Sequence, residues 1–204
     1  MPDDFGLSNE IKAKMIQSAH ERFHSEGAKV TTPEEVVQAL GGTLNQFYYD
    51  FQNKEGLIRE VIRAEFEVVK SGRTPICYEF ASWTDLEKWF LAHVELQRST
   101  DMTRTCLFGK VGNEIAERDI PIREEVSAIF EFMKTRIAAF FKKEKALGRL
   151  AKDVNEGSLS DFCIATLQGA MLLGKVKQNS KPVEGAFREA LTHLKHYSIV
   201  ANKK

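Results

Sequence analysis

Apolar residues recur at helical spacing along most of the chain, and no run alternates in the manner of a β-strand. Residues 121–147 give the clearest case, because their apolar members fall on one side of a helix. These members are Val126, Ile129, Phe130, Met133, Ile137, Phe140 and Phe141. A stripe this wide requires several helical partners. The pattern therefore predicts an all-α fold with a helical bundle in the second part of the chain.

Polar capping residues and glycines predict where the first four helices begin and end. The expected N-caps are Ser8, Thr32, Thr43 and Asn53. Gly27 is expected to end the first helix, and Gly41 and Gly42 to end a short second helix that starts with Pro33. Later helices are predicted near residues 83–98, 104–117, 121–147, 157–178 and 183–200.

The segment Ser-Gly-Arg-Thr-Pro at residues 71–75 is the best candidate for a domain boundary. Glycine and proline interrupt helices, and no apolar period crosses this segment. We therefore predict a three-helix domain over residues 1–53, a connecting helix over 54–71, and a larger helical domain over 72–204.

Two short helices joined by a glycine-containing turn predict a helix-turn-helix over residues 33–50. The second helix would expose Asn45, Gln46 and Tyr49, while Phe47 and Phe51 point inward. Asparagine and glutamine amides offer the donor and acceptor that adenine requires. The residues suited to phosphate contacts are Thr32, Thr43, Tyr48 and Lys54. Spacing alone leaves open a polar hairpin that only supports the bundle.

Composition narrows the classes of protein that fit this chain. Lysine plus arginine equals aspartate plus glutamate at 29 each, so any basic surface has to be local. Three scattered cysteines form a poor disulfide framework and favour a reducing, cytoplasmic compartment. No apolar run approaches the roughly 18 residues of a membrane span, and the acidic N-terminus is unlike a signal peptide. We expect a cytoplasmic protein with no membrane partner.

The stretch TTPEEVVQALGGTLNQFYYDFQNKEGL resembles, without a gap, the DNA-binding region of the TetR family of bacterial transcriptional regulators. The resemblance implies a regulator, expected to be a repressor, that binds palindromic operator DNA as a homodimer. The residues it places at the DNA are Thr32, Thr43, Leu44, Asn45, Gln46, Tyr48, Tyr49 and Lys54. Many members carry lysine and then glycine where this chain has Leu44 and Asn45. One common phosphate-binding cation is therefore missing.

Charge in the first part of the chain also departs from a typical DNA-binding domain. Residues 1–73 contain nine basic and twelve acidic side chains, a net charge of −3. Phosphate affinity depends on the cations placed at the DNA backbone. We therefore expect modest operator affinity that depends weakly on salt.

The C-terminal half resembles a TetR subgroup that carries a G-C-hydrophobic-x-G-N-x-A-x-E segment, here TCLFGKVGNEIAE at residues 105–117. In that subgroup some members sense electrophiles or oxidants through a cysteine at the position of Cys106. The alternative is a pocket for a small apolar or aromatic effector. Its candidate residues are Trp89, Phe90, His93, Cys106, Phe108, Val111, Asn113, Phe130, Met133, Phe140, Phe141 and Gln168.

The family's usual dimer interface implies that a stripe of residues on one helix face contacts a second subunit. This stripe consists of Ala165, Gly169, Leu172 and Leu173. The alternative is that the same residues belong to the ordinary hydrophobic core of one subunit.

No motif for catalysis, cofactor binding or metal binding is recognisable in the chain. The pairs His20 with His24 and His193 with His196 have helix-face spacing, but no carboxylate completes a metal motif. We expect neither an enzyme nor a cofactor or metal. A helical dimeric adaptor that has lost DNA binding remains an alternative, favoured by the acidic first part of the chain.

Overall fold

The structure is a computed structural model that describes residues 4–114 and 119–199. Within these ranges it is all-α, apart from one isolated antiparallel bridge between Leu150 and Ser198. The predicted fold class is confirmed. In chain order the helices are α1 (Asp4–Ser25), α2 (Pro33–Gln38), α3 (Leu44–Phe51), α4 (Lys54–Lys70), α5 (Trp83–Ser99), α6 (Leu107–Glu114), α7 (Ile120–Ala146), α8 (Glu156–Lys177) and α9 (Lys181–His196).

Three predicted helix ends were wrong, and one of them, the end of α9, has a long-range cause. α1 begins at Asp4, four residues before the predicted cap Ser8. α6 begins at Leu107 and not at 104, since the Gln97 side chain donates a hydrogen bond to the Arg104 carbonyl. Residues 115–117 of that predicted helix lie outside the described residues.

The end of α9 at His196 is the third difference. Residues 197–199 leave the helix and pair with the segment after α7. The Ala151 amide donates to the Tyr197 carbonyl at 3.0 Å, and the Ile199 amide donates to the Arg149 carbonyl at 2.9 Å. These hydrogen bonds pair backbone groups of residues 197–199 that would be paired within α9 if the helix continued.

The described residues form two compact units. The first takes in the residues up to Val68 together with Leu107–Ser127, and the second takes in Val69–Cys106 and the residues from Ala128 onward. The first unit thus contains α1 to α4, α6 and the beginning of α7. The functional division predicted at residues 53 and 71 remains a prediction.

The core of the first unit joins α1 to α4. Its fully buried side chains include Met15, Phe23, Val36, Phe47 and Ile62. α6 belongs to the same unit, and the Phe108 ring lies edge-on to Phe66 of α4 at 6.5 Å between centroids.

The core of the second unit is rich in aromatic side chains. The Trp83 ring meets Phe140 of α7 at 5.3 Å between centroids, and its indole N–H donates to the buried Glu144 carboxylate at 3.1 Å. α8 packs closely against α9 at Gly174. A Cβ added at this position would lie only 2.5 Å from a methyl group of Val183.

Candidate nucleic-acid interface

The α2 helix begins with a capping box. The Thr32 hydroxyl accepts the Glu35 amide at 3.3 Å, and the Glu35 carboxylate accepts the Thr32 amide at 2.8 Å. That backbone hydrogen bond holds the pKa of Glu35 below its usual value. The predicted cap at Thr32 and first-turn position of Pro33 are confirmed.

The turn between α2 and α3 depends on one of its two glycines. Gly41 has a φ of +63°, in the left-handed region where a Cβ is unfavourable, and no positive φ occurs at Gly42. The Thr43 hydroxyl then accepts the Gln46 amide at 3.3 Å and caps α3 as predicted. Asn53 similarly accepts the Gly56 amide at 2.7 Å at the start of α4.

The α3 helix has one buried and one exposed face. Phe47 and Phe51 are buried, and their ring centroids lie 5.2 Å apart. Asn45 is exposed, and Tyr48 and Tyr49 expose 48% and 79% of their surface. Burial of two phenylalanines thus orients the exposed amide and phenol groups to the outside of the unit.

Two predicted DNA-contacting residues lie half-buried on α3. These are Leu44, which was predicted only as a contact, and Gln46, which was predicted to be exposed. The Gln46 amide nitrogen donates a hydrogen bond to the Asp50 carboxylate at 2.7 Å. The sequence interpretation missed this pair, although its i,i+4 spacing on a helix is a recognisable signal.

Lys54 makes a contact that the sequence interpretation did not anticipate. Its ammonium group donates to the backbone carbonyl of Lys29, in the turn between α1 and α2. Lys54 is half-buried, and its predicted phosphate contact remains a prediction.

The α6 helix is tied to the C-terminal end of α1 by two charged side chains. The Lys110 ammonium donates to the His24 carbonyl at 2.9 Å, and the Glu114 carboxylate accepts the Lys29 amide at 2.8 Å. Gly27 has a φ of +110°, and a Cβ there would lie 2.5 Å from the Glu114 carboxylate. Only glycine therefore allows this close approach without strain.

A cavity of about 150 Å³ lies beside this contact, wholly within the first unit. Apolar side chains of α4, α6 and α7 meet charged groups around it. It is lined by Ala28, Lys29, Lys54, Glu55, Ile58, Val111, Glu114, Asp119 and Ile122. Val111 alone was among the predicted effector-pocket residues.

The other predicted effector-pocket residues are divided between the two units. Phe108 is buried and Asn113 is exposed on α6, in the first unit. In the second unit the buried side chains are Trp89, Phe90, His93, Met133, Phe140 and Phe141, and the half-buried ones are Cys106, Phe130 and Gln168.

Polar groups inside the second unit have distinct environments. The His93 Nδ1 lies 2.8 Å from the Trp89 carbonyl, and burial lowers the pKa of His93 to about 4. The ring is therefore neutral at pH 7 and donates its Nδ1 proton to that carbonyl. The amide nitrogen of Gln168 is buried and has no hydrogen-bond partner within the described ranges.

The three cysteines differ in exposure. Burial raises the pKa of Cys163 to about 12, which keeps that thiol protonated and unreactive. Cys77 is exposed, and Cys106 is half-buried.

The predicted dimer stripe lies on the surface of α8. Ala165 and Gly169 are exposed, and Leu172 and Leu173 expose 54% and 47% of their surface. Val176, one turn beyond Leu172, is 72% exposed and extends the stripe. This exposure in a single chain argues against the alternative that the stripe is ordinary core.

Metal-ion clusters and membrane-spanning helices are absent from the part of the chain that the structure describes. That part holds no group of three or more His, Cys, Asp or Glu side chains positioned for a metal ion. None of its helices has both the length and the apolar character that a bilayer-spanning segment requires.

Comparison with known proteins identifies relatives along most of the chain. Residues 85–190 match the family model of tetracyclin repressor-like C-terminal domains. The HTH-type transcriptional repressor DhaR of Mycobacterium sp. (strain GP1) is 23% identical over 177 residues, which cover 85% of this chain and 87% of that protein.

Solved structures share the fold at low sequence identity. A TetR-family regulator from Agrobacterium tumefaciens has a TM-score of 0.81 at 16% identity, covering 92% of this chain and 98% of its own. The regulatory protein TetR from Rhodobacter sphaeroides has a TM-score of 0.78 at 21% identity, covering 89% and 97%.

Proposed function

The chain belongs to the TetR family of DNA-binding transcription regulators, and we propose that it is a cytoplasmic repressor that binds palindromic operator DNA as a homodimer. The observation that carries the proposal is the division of α3 into two faces. Asn45 and Tyr49 are exposed on one face, and Phe47 and Phe51 are buried on the other. Family membership points to a regulator and not to an enzyme. It does not favour the two alternatives, a thiol sensor acting through Cys106 or an adaptor that has lost DNA binding.

Selection of operators from random double-stranded DNA, followed by a gel shift with the DNA upstream of the protein's own gene, tests this function. We expect a palindromic consensus, because a two-fold dimer presents two α3 helices to half-sites about 34 Å apart or a multiple of that distance. Retention of all sequences equally, or of none at low salt, would instead support the adaptor.

The exposed stripe on α8 supports the dimer. Small residues at 165 and 169 allow another helix to approach closely, and the leucines beyond them supply apolar area. A second copy of the same stripe is a self-complementary partner, as a two-fold interface requires.

We further propose that a small apolar or aromatic effector binds in the second unit and lowers operator affinity. The aromatic side chains of α5 and α7 supply apolar walls, and the buried Gln168 amide supplies a hydrogen-bond donor. A buried donor left without a partner costs about 1–3 kcal/mol, so a ligand oxygen that accepts from it would gain specificity. A thermal-shift screen of aromatic compounds with an acceptor oxygen, followed by operator release, tests this proposal.

An effector can change the affinity for DNA only through a part of the chain that adopts two conformations, one of which binds the effector better and the other of which binds DNA better. We propose α6 for this role, because Lys110 and Glu114 hold the backbone at the end of α1 and in the turn before α2. Phe108 adds an edge-on contact with Phe66 of α4. A shift of α6 would therefore reach both helices that support α2 and α3.

Replacing Glu114 with alanine is expected to release the Lys29 amide and weaken operator binding. A hydrogen bond to a charged group contributes about 1.5–3 kcal/mol, which corresponds to roughly 10-fold or greater acceleration of amide exchange at Lys29. NMR-detected hydrogen exchange and operator titration measure the two effects. Glu114→Gln is the matched control, because its amide oxygen still accepts this bond. Equal protection of Lys29 in Glu114→Ala and the wild type would contradict the role of Glu114.

The salt dependence of operator binding is expected to be shallow. Several basic side chains of the first unit have carboxylate partners; for example, Lys12 lies 3.2 Å from Glu60 and Arg59 lies 2.7 Å from Glu125. We expect a slope of log affinity against log salt weaker than about −4, whereas ten ionic phosphate contacts would give about −9.

The variant Leu44→Lys restores the cation that many family members carry. It is expected to steepen the slope by about 0.9 per subunit and to raise affinity at low salt. A wild-type slope near that of ten contacts would show that hydroxyl, amide and backbone donors do not dominate phosphate binding.

A further inference from the structure

The cavity of the first unit has no role in the proposed function, and its lining fits a ligand. Its volume is about 150 Å³, and the residues that line it all belong to the unit that carries α2 and α3. Its apolar walls are Ile58 of α4, Val111 of α6 and Ile122 of α7, and all three side chains are buried. An apolar cavity of about this volume holds a molecule the size of benzene.

The polar side of the cavity is held in place by hydrogen bonds of the protein itself. The Glu114 carboxylate accepts the Lys29 amide through Oε2 at 2.8 Å, and the Lys54 ammonium donates to the Lys29 carbonyl. The backbone of Lys29 thus holds two side chains that line the cavity. A site whose polar groups are already positioned does not have to order them when a ligand binds.

The charges around the cavity favour a cation. Lys29 and Glu55 are exposed, and their opposite charges cancel. The half-buried charged groups are the Lys54 ammonium and the carboxylates of Glu114 and Asp119, which leaves one negative charge in excess. Salt and water screen half-buried charges less than exposed ones. The lining therefore attracts a cationic ligand and repels an anionic one.

Glu114 supplies the hydrogen-bond acceptor for such a cation. Its second oxygen, Oε1, lies against Gly27, where an added Cβ would be 2.5 Å away. Among residues 4–114 and 119–199, the Lys29 amide is the one donor to this carboxylate. A carboxylate accepts hydrogen bonds at both oxygens. Oε1 can therefore accept an N–H group of the ligand while Oε2 keeps the Lys29 amide.

We propose that this cavity binds a small organic cation, a primary ammonium attached to an apolar group about the size of a benzene ring. The ammonium donates to Oε1 of Glu114, and the apolar group packs among Ile58, Val111 and Ile122. The site is separate from the effector site proposed in the second unit. Binding stabilises the first unit directly, because a ligand that binds only the folded state adds to its stability.

Calorimetric titration of the full-length protein with benzylamine tests the proposal, and benzyl alcohol, methylammonium and benzoate are the comparison probes. Benzylamine should bind at least about 10-fold more tightly than benzyl alcohol, because its donor is charged. It should also bind at least about 10-fold more tightly than methylammonium, which lacks the apolar group. Equal affinities for benzylamine and methylammonium, or tighter binding of benzoate, would overturn the proposal.

Two glutamine variants show whether the ligand binds at this cavity. Glu114→Gln keeps an oxygen for the Lys29 amide but loses the charge. Its affinity for benzylamine should fall at least about 10-fold, while its affinity for benzyl alcohol stays the same. Glu34→Gln removes an exposed carboxylate of α2 that does not line the cavity, and both affinities should stay the same. Thermal melting checks that both variants are folded.

Two measurements on the wild type locate the ligand without any substitution. NMR shift changes during the benzylamine titration should centre on the amides of Lys29 and Val111. Trp83 and Trp89 belong to the second unit, so tryptophan fluorescence should not change. Shift changes elsewhere, a saturable fluorescence change, or unchanged benzylamine affinity in Glu114→Gln would each overturn the assignment of this site. These measurements use no DNA, so their failure would leave the proposed function intact.

Discussion

Replacing Phe47 with alanine is expected to lower the free energy of unfolding of the first unit by about 3–5 kcal/mol. The Phe47 side chain is fully buried, with ring centroids 5.4 Å from Tyr48 and 5.2 Å from Phe51. Domains of this kind are stable by only about 5–15 kcal/mol, so the loss is a large fraction of the total. Urea unfolding followed by far-UV circular dichroism measures the change.

Tyr49→Ala is the matched control for Phe47→Ala, since it removes an aromatic ring from the same helix at a position that is 79% exposed. Its stability should change by less than about 0.5 kcal/mol, while operator affinity falls. Both tryptophans, Trp83 and Trp89, belong to the second unit, so their fluorescence follows that unit separately. Equal unfolding midpoints for the two variants would contradict the assignment of the buried and exposed faces of α3.

Replacing Leu172 with glutamate is expected to convert the dimer to a monomer and to lower operator affinity at least about 100-fold. The substitution places a charge in the middle of the apolar stripe of α8, and two-fold symmetry brings two such charges into one interface. A monomer binds only one half-site. It therefore loses the increase in affinity that comes from binding two half-sites at once, which is about 10²–10⁴-fold. Analytical ultracentrifugation and a gel shift measure the two effects.

Leu91→Glu provides the comparison for Leu172→Glu. Leu91 lies on α5 and is 52% exposed, almost the same as Leu172 at 54%, but it lies outside the α8 stripe. It should leave both the dimer and operator binding unchanged. A dimer that persists in Leu172→Glu with wild-type affinity would refute α8 as the interface.

Short-range features of the sequence predicted the helix-turn-helix in detail. The caps at Thr32 and Thr43, the glycine-containing turn at Gly41 and the inward direction of Phe47 and Phe51 all agree with the structure. Each depends on residues within one or two helical turns, so the local pattern is sufficient to predict it. The stripe on α8 was implied by the family's usual dimer interface, and helical spacing alone left a buried core stripe as the alternative.

The remaining features depend on residues that are distant in the sequence. Pairing of residues 197–199 with residues 149–151 sets the end of α9. Hydrophobic periodicity could not predict that the pocket residues are divided between two compact units. Periodicity shows which face of a helix is apolar, but it does not show which other helix packs against that face.

The sequence by itself determined the all-α fold, the helix-turn-helix and the faces of its second helix, because these follow from local backbone preferences and helical periodicity. Only the tertiary structure decided that Lys54 binds the Lys29 carbonyl and that Glu114 holds the Lys29 amide. Glu114 is 85 positions from Lys29, and Gly27 permits its approach. Such contacts depend on how distant segments pack, and no local pattern encodes them.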